Sequence, residues 1–194
     1  VLMKELTYGS DSRLRSYQVF EYNDRGLLSG RGFHDARDNL QTRSTYEYDA
    51  RGRTTRWNVY GGSKNLLSYT DYLYDDVGRL AEMKIYAPDG TLEDGFSYEY
   101  TSAGKVPVRR TQYTAEGSVV QFVEFTVEDN LVKEKMSLTS SGGIEYRFTY
   151  EYGDHGERIR ESVYSGAGDL IEYSEMEYRI HEETRLVENG EGRS

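Results

Sequence analysis

Apolar and polar residues alternate with a period of two over most of this chain, in runs of about nine residues separated by short polar clusters that usually contain glycine. The run Ser44-Thr45-Tyr46-Glu47-Tyr48 puts two tyrosines on one side of an extended chain with a glutamate between them, and Asp49-Ala50-Arg51-Gly52 then reads as a tight turn. The same pair of slots recurs at a spacing of 26 residues as Phe20/Tyr22, Tyr72/Tyr74 and Tyr98/Tyr100, and later as Tyr150/Tyr152 and Met176/Tyr178. A second slot, held by Tyr8, His34, Tyr60, Tyr86, Tyr113, Leu138 and Tyr164, precedes each pair, and an aliphatic follows it six residues on, from Leu14 to Leu170. Each unit thus predicts two strands and two turns, which is one hairpin and its link to the next. Helical periodicity is missing. The expected fold is all-β: an antiparallel meander of about seven 26-residue β-hairpin repeats in one long twisted or curled sheet, either open or a partial shell. It forms a single domain over 1–188 with a frayed tail at 189–194, and a last strand is expected at Thr184–Val187.

Two departures from the period are expected to be local. One extra residue lies between Tyr100 and Tyr113, where Pro107 cannot donate to a ladder, and this predicts a β-bulge. One residue is lost at Glu128-Asp129-Asn130, where asparagine tolerates the left-handed conformation and a tighter turn fits.

Alternation also assigns faces. Leu66, Ser68, Thr70, Tyr72 and Tyr74 share one face, as do Ile144, Tyr146, Phe148, Tyr150 and Tyr152; Glu47, Glu99, Glu151 and Glu177 point the other way. In an unbroken ladder Trp57, Val59, Met83 and Ile85 fall on the glutamate face, and so do Arg53, Arg79, Lys133 and Lys135, as cross-strand partners for the glutamates. If Tyr60 faces Leu66 across its turn, that ladder sets Trp57 opposite Tyr69. With Asn58 and Asp71 beside them, these two rings are the candidate ligand-binding residues, for a sugar face or a partner side chain; cross-strand packing is the competing reading.

Composition narrows the function. Nineteen tyrosines argue against disorder despite the low apolar content, and tyrosine faces overlaid by long charged side chains replace a large dry core. A net charge of -10 disfavours nucleic acid and anionic membrane surfaces, and no run is long and apolar enough for direct membrane insertion. Cysteine is absent, which removes disulfides and thiolate chemistry. The start at Val1 reads as a processed or trimmed piece.

No constellation points to a reaction, and no cofactor is expected. His34, His155 and His181 fall on distant strands, so no metal site is expected. Asp75-Asp76 and Asp35/Asp38 suit turn chemistry better than calcium, and Gly30-Arg31-Gly32 lies inside a hairpin, where it reads as a flattened or bulged strand instead of a phosphate loop. The chain is therefore expected not to be an enzyme.

Tyr72-Leu73-Tyr74-Asp75-Asp76-Val77-Gly78-Arg79-Leu80 and Tyr46-Glu47-Tyr48-Asp49-Ala50-Arg51-Gly52-Arg53 resemble the tyrosine-aspartate repeats of the RHS/YD family, whose pattern is Tyr-x-Tyr-Asp-x-x-Gly-Arg-Leu. Tyr98-Glu99-Tyr100-Thr101 and Tyr150-Glu151-Tyr152-Gly153 lack the aspartate, and the Phe125 unit has lost most of the pattern. The resemblance implies hairpins joined in a curling sheet on a bacterial protein that is exported: periplasmic, outer-membrane-anchored or secreted. It supplies no catalytic residue here. The expected function is a binding scaffold that presents a tyrosine-rich surface to a protein partner. A carbohydrate-binding module and a neutraliser of a toxin built like MORN-type repeats are the alternatives, and the terminal strand edges suit self-association.

Overall fold

The computed structural model describes residues 1–178, and the strand expected at Thr184–Val187, like the tail at 189–194 and the last histidine, His181, lies outside them. Fourteen strands follow one another: β1 (Lys4–Tyr8), β2 (Leu14–Tyr22), β3 (Leu28–Asp35), β4 (Leu40–Tyr48), β5 (Thr54–Gly61), β6 (Leu66–Tyr74), β7 (Leu80–Tyr86), β8 (Leu92–Glu99), β9 (Arg109–Thr114), β10 (Val119–Glu128), β11 (Leu131–Thr139), β12 (Ile144–Tyr152), β13 (Arg158–Ser165) and β14 (Leu170–Glu175). Each pairs antiparallel with its neighbours in chain order in one sheet that does not close into a barrel. The expected all-β meander is the fold.

One turn geometry builds most of it. Eleven of the thirteen connections close like Asp49–Arg53, where the Asp49 N–H donates to the Arg53 carbonyl and the Gly52 N–H donates back to the Asp49 carbonyl, both at 3.0 Å. The fourth residue of each takes a positive φ: Gly52 in this turn, and Ser12, Asp38 and Lys64 where glycine is absent. That is a type I turn closed by a left-handed residue. The turn then costs one residue of register. In twelve of the thirteen pairs the ladder skips a residue just past the turn, so Tyr48 pairs with Thr54 but Glu47 pairs with Arg56.

The two departures resolve differently. The extra residue near Pro107 is not a bulge within the ladder: β8 and β9 are the one pair without a register shift, and residues 100–108 absorb it as a longer loop closed by the Val108 N–H on the Glu99 carbonyl. Proline keeps that stretch out of the sheet because it has no N–H to give. The shortened turn is as expected: Asp129 and Asn130 both have positive φ, so two residues join β10 to β11 in a type I′ geometry.

The bulge corrects the face assignment of the return strands β5 and β7. Trp57 pairs with Tyr46 and Thr70, Val59 with Ser44 and Ser68, and Met83 with Tyr72 and Phe96, so all three lie on the tyrosine face. Leu66 and Ile144 leave the alternation of their own strands and pair with Tyr60 and Leu138. The other face carries Glu47, Arg56, Asp71 and Lys84 side by side on β4 to β7, alternating in sign. Like charges on neighbouring strands would repel, and the skipped residue brings opposite ones together.

This is a single layer. No described side chain is fully buried; the least exposed are Ser162, Thr70 and Val123 at 4–6%. Its accessible surface, 13677 Å², exceeds the ~9,400 Å² of a compact chain this size. Stability therefore comes from rows of half-buried rings and from ties between turns. Tyr22, Tyr48, Tyr74, Tyr100, Tyr152 and Tyr178 each donate a hydroxyl hydrogen bond, 2.6–2.9 Å long, to the carbonyl twenty residues back, as Tyr74 does to Thr54. The same end of the sheet is tied by arginine: Arg25 donates to the Asp49 and Ala50 carbonyls, and Arg79 to those of Thr101 and Gly104. Removing one such hydroxyl, as in Tyr74→Phe, is expected to cost about 1 kcal/mol by urea denaturation.

Candidate functional site

The four residues singled out in the sequence do not form one cluster. Trp57 faces one side of the sheet; Tyr69, Asn58 and Asp71 face the other. The expected Trp57–Tyr69 pair is replaced by Asn58–Tyr69 and Trp57–Thr70, because the ladder skips Leu67 between the Tyr60–Leu66 and Val59–Ser68 pairs. A bulge of one residue moves every later side chain to the opposite face.

On the charged face Tyr69, Asn58 and Asp71 serve one another's neighbours. Asp71 accepts two hydrogen bonds from Arg56, Nε at 2.6 Å and Nη2 at 2.8 Å, and the Arg56 guanidinium lies 4.6 Å over the Tyr69 ring. The Asp71 contact, against some loss of hydration, holds the Arg56 pKa above its ordinary value. Tyr69 stacks on Tyr86 with centroids 4.8 Å apart, and buried Asn58 donates to the Thr45 hydroxyl at 3.2 Å. Arg56 and Asp71 also line an open cleft of about 500 Å³ with Glu47, Lys84 and Tyr86.

Trp57 is different. Its ring lies parallel to Tyr46, centroids 6.5 Å apart, beside a cleft of about 360 Å³ lined by Arg31, Phe33, Thr42, Ser44 and Val59. Its indole N–H is buried and has no partner. Burial first of all, with the neighbouring Tyr74, Tyr46 and Tyr98 adding to it, raises the Tyr72 phenol above its usual range.

The cations assigned to the glutamates belong to the rings instead. Arg53 lies 4.3 Å over Tyr74, Arg79 4.5 Å over Tyr100, Lys133 4.9 Å over Tyr152 and Lys135 3.6 Å over Phe148. The pattern Tyr-x-Tyr-Asp-x-x-Gly-Arg thereby acquires a physical meaning. The second tyrosine ties the neighbouring strand. The aspartate organises the turn: Asp75 accepts from the Arg79 N–H and Nε, each at 2.7 Å. The arginine, held by that aspartate, covers the next unit's tyrosine.

Titration follows from these contacts. Asp49 lies below the ordinary carboxylate range chiefly through the Arg53 N–H, and Asp75 lies below it because its Arg79 contacts outweigh burial. Lowered carboxylates stabilise the fold above their unfolded pKa near 4, and that contribution is lost as pH falls through the folded values. Tyr72, Tyr98 and Tyr150 are raised, by burial first, so their contribution is complete below about pH 10 and is lost as pH rises above it. The melting temperature is expected to hold a plateau between these limits and to fall on both sides, the alkaline fall tracking tyrosinate absorbance.

Sequence reasoning missed that Arg110 and Lys135 share the tyrosine face: the unshifted β8–β9 ladder after the loop 100–108 places Arg110 there, and the residue skipped in the β10–β11 ladder places Lys135. Among the described residues, His34 stacks on Tyr17 at 4.6 Å, and His155 lies in an exposed turn. No group of three or more histidine, aspartate or glutamate side chains is placed to hold a metal ion among them.

No family model matches this chain, and no curated protein matches it. Solved structures do. A porin-like protein from Bacteroides uniformis ATCC 8492 is 14% identical over 88% of this chain and 89% of its own, with a TM-score of 0.53. The TcdB2-TccC3-Cdc42 complex matches at 12% identity and a TM-score of 0.24, over 85% of this chain but only 14% of that one. A eukaryotic initiation factor matches at 8% identity and a TM-score of 0.40, over 89% of this chain and 65% of the other. At these identities the first likeness concerns fold: a β-rich chain whose strands follow a similar course.

Proposed function

We propose that this chain is a non-catalytic RHS/YD-type β-repeat scaffold of an exported bacterial protein, and that it works by presenting its tyrosine face to a protein partner. The observation that carries this reading is the single layer. Phe20, Tyr46, Trp57, Tyr72, Phe96 and Tyr98 are all half-buried by their neighbours within the sheet, and no second layer of the described residues covers them. Such rings are already ordered, so they offer contact area at low entropic cost. A main-chain ladder holds them in register, and a turn architecture repeated eleven times fixes their spacing.

The test uses a photo-crosslinking residue placed at Ser44 or Ser68 on the tyrosine face, and at Thr45 or Asp71 on the charged face, in the native host. Crosslinks to one protein from the first pair but not the second support the reading. Equal crosslinking from both faces, or retention of the chain inside the cytoplasm, would refute it.

One observation favours a second reading, a carbohydrate-binding module: the unpartnered indole N–H of Trp57 beside a cleft bearing the hydroxyls of Thr42 and Ser44. Glycan-array signal that Trp57→Phe weakens, by removing the indole N–H, and that Trp57→Ala abolishes would favour the sugar.

A further inference from the structure

Two cations on the tyrosine face have no counter-charge. Arg110 on β9 stands between Tyr98 and Val123, and Lys135 on β11 stands between Phe125 and Phe148. Among the described residues neither makes an ion pair, and the Arg110 Nε is buried without an acceptor. The nearby acids are committed elsewhere. Glu161 accepts from Arg158 at 2.9 Å, and Glu145 accepts from Gln121 at 3.1 Å and Ser137 at 3.3 Å. Burial, and then the positive charges of Arg110 and Arg158 against the opposing Glu161, hold the Lys135 ammonium below the usual amine range.

Arg110 and Lys135 line one cleft of about 360 Å³, floored by Val123 and walled by Phe125 and Phe148. Two like charges in partly desolvated, apolar surroundings are costly unless an anion joins them. Small-molecule sites have this character and size: mostly apolar, with a few convergent polar groups. Glu145 and Glu161 stand near its two sides, and the whole chain carries -10, so a single negative group is admitted where a run of them is repelled.

We propose that the cleft between Arg110 and Lys135 binds a small organic monocarboxylate, its carboxylate bridging the two cations and its apolar ring or stem lying against Phe125 and Phe148.

The test is an amide-resolved NMR titration of the full chain with benzoate, and with benzamide as its neutral counterpart. Benzoate is expected to shift the amides of β9 to β12 around Arg110, Val123, Lys135 and Phe148 saturably, and to bind roughly tenfold or more tighter than benzamide. Lys135→Met, which keeps the stem over Phe148, and Arg110→Gln are each expected to weaken benzoate by roughly tenfold while leaving amide dispersion unchanged. Shifts scattered over unrelated lysines and arginines would overturn the proposal, as would equal binding of benzamide or unchanged binding by Lys135→Met. Inorganic phosphate binding as tightly as benzoate would remove the ring from the account. An acidic peptide bound where benzoate is not would overturn the small ligand and place a partner polypeptide in the cleft.

Discussion

Gly166→Val is expected to destabilise the sheet by roughly 3 kcal/mol, the upper end for a substitution that forces backbone apart. A Cβ at Gly166 would press on the carbonyl oxygen of Ile144, and one at Gly62 would press on that of Leu40, closer than real Cβ atoms approach. Both obstacles are main chain in the neighbouring strand's bulge, so no side chain can turn aside to make room. The expected fall in melting temperature is roughly 6–12 °C for a chain of this size. Two other glycines separate this clash from ordinary turn strain. Gly156 meets nothing within 4 Å but has a φ of +79°, so Gly156→Ala should cost only about 1 kcal/mol. Gly143 has ordinary contact and no such φ, and Gly143→Ala should be close to neutral. Thermal denaturation of the three variants checks the ranking.

Trp57→Ala should be the most damaging truncation of a ring on the tyrosine face. A core tryptophan is worth about 3–5 kcal/mol when cut to alanine, and Trp57 is half-buried, so roughly 2 kcal/mol is expected. Part of that belongs to Tyr46, whose ring lies parallel to it. The double variant Trp57→Ala/Tyr46→Ala should therefore lose less than the sum of the single losses, with a coupling of about 0.5–1.5 kcal/mol. Tyr69→Ala should show no coupling with Trp57→Ala beyond about 0.5 kcal/mol, because the two rings lie on opposite faces. Urea denaturation of the unsubstituted chain, the three single variants and the two double variants measures both terms.

The strands, their order and their approximate ends were legible because the tyrosine pairs keep their 26-residue spacing and most turns carry glycine, asparagine or aspartate at the left-handed position, Ser12 and Lys64 being the exceptions. The return-strand faces were not legible. A bulge adds no residue type that marks it: Thr55, Leu67 and Ala81 are skipped in three successive ladders and share no chemistry. Counting by twos across each turn then exchanged the faces, which put Trp57 beside Tyr69 and sent Arg53 and Lys135 to the glutamates. Pro107 misled for a related reason: it does interrupt pairing, but outside the ladder, in a loop. The candidate site suffered most, since side chains one residue apart on a strand are neighbours in sequence and strangers in space. What the repeat itself offered was the turn chemistry, and Asp49 and Asp75 perform it with arginine as the pattern Tyr-Asp-x-x-Gly-Arg anticipates.

The tie between alternate turns has one gap. Val127 stands where the other units place a hydroxyl-bearing tyrosine, beside the loop 100–108 that lacks the common turn. Opening of the sheet is expected to begin between β9 and β10, with amide exchange there fastest among the paired strands of the interior.

The single tryptophan tests the bulged register most directly. In a nuclear Overhauser spectrum the Trp57 indole protons should show contacts to the Tyr46 ring and the Thr70 methyl, the residues paired with it on β4 and β6. Contacts to the Tyr69 ring in their place would mean an unbroken ladder, and would contradict both the face assignment and everything built on it.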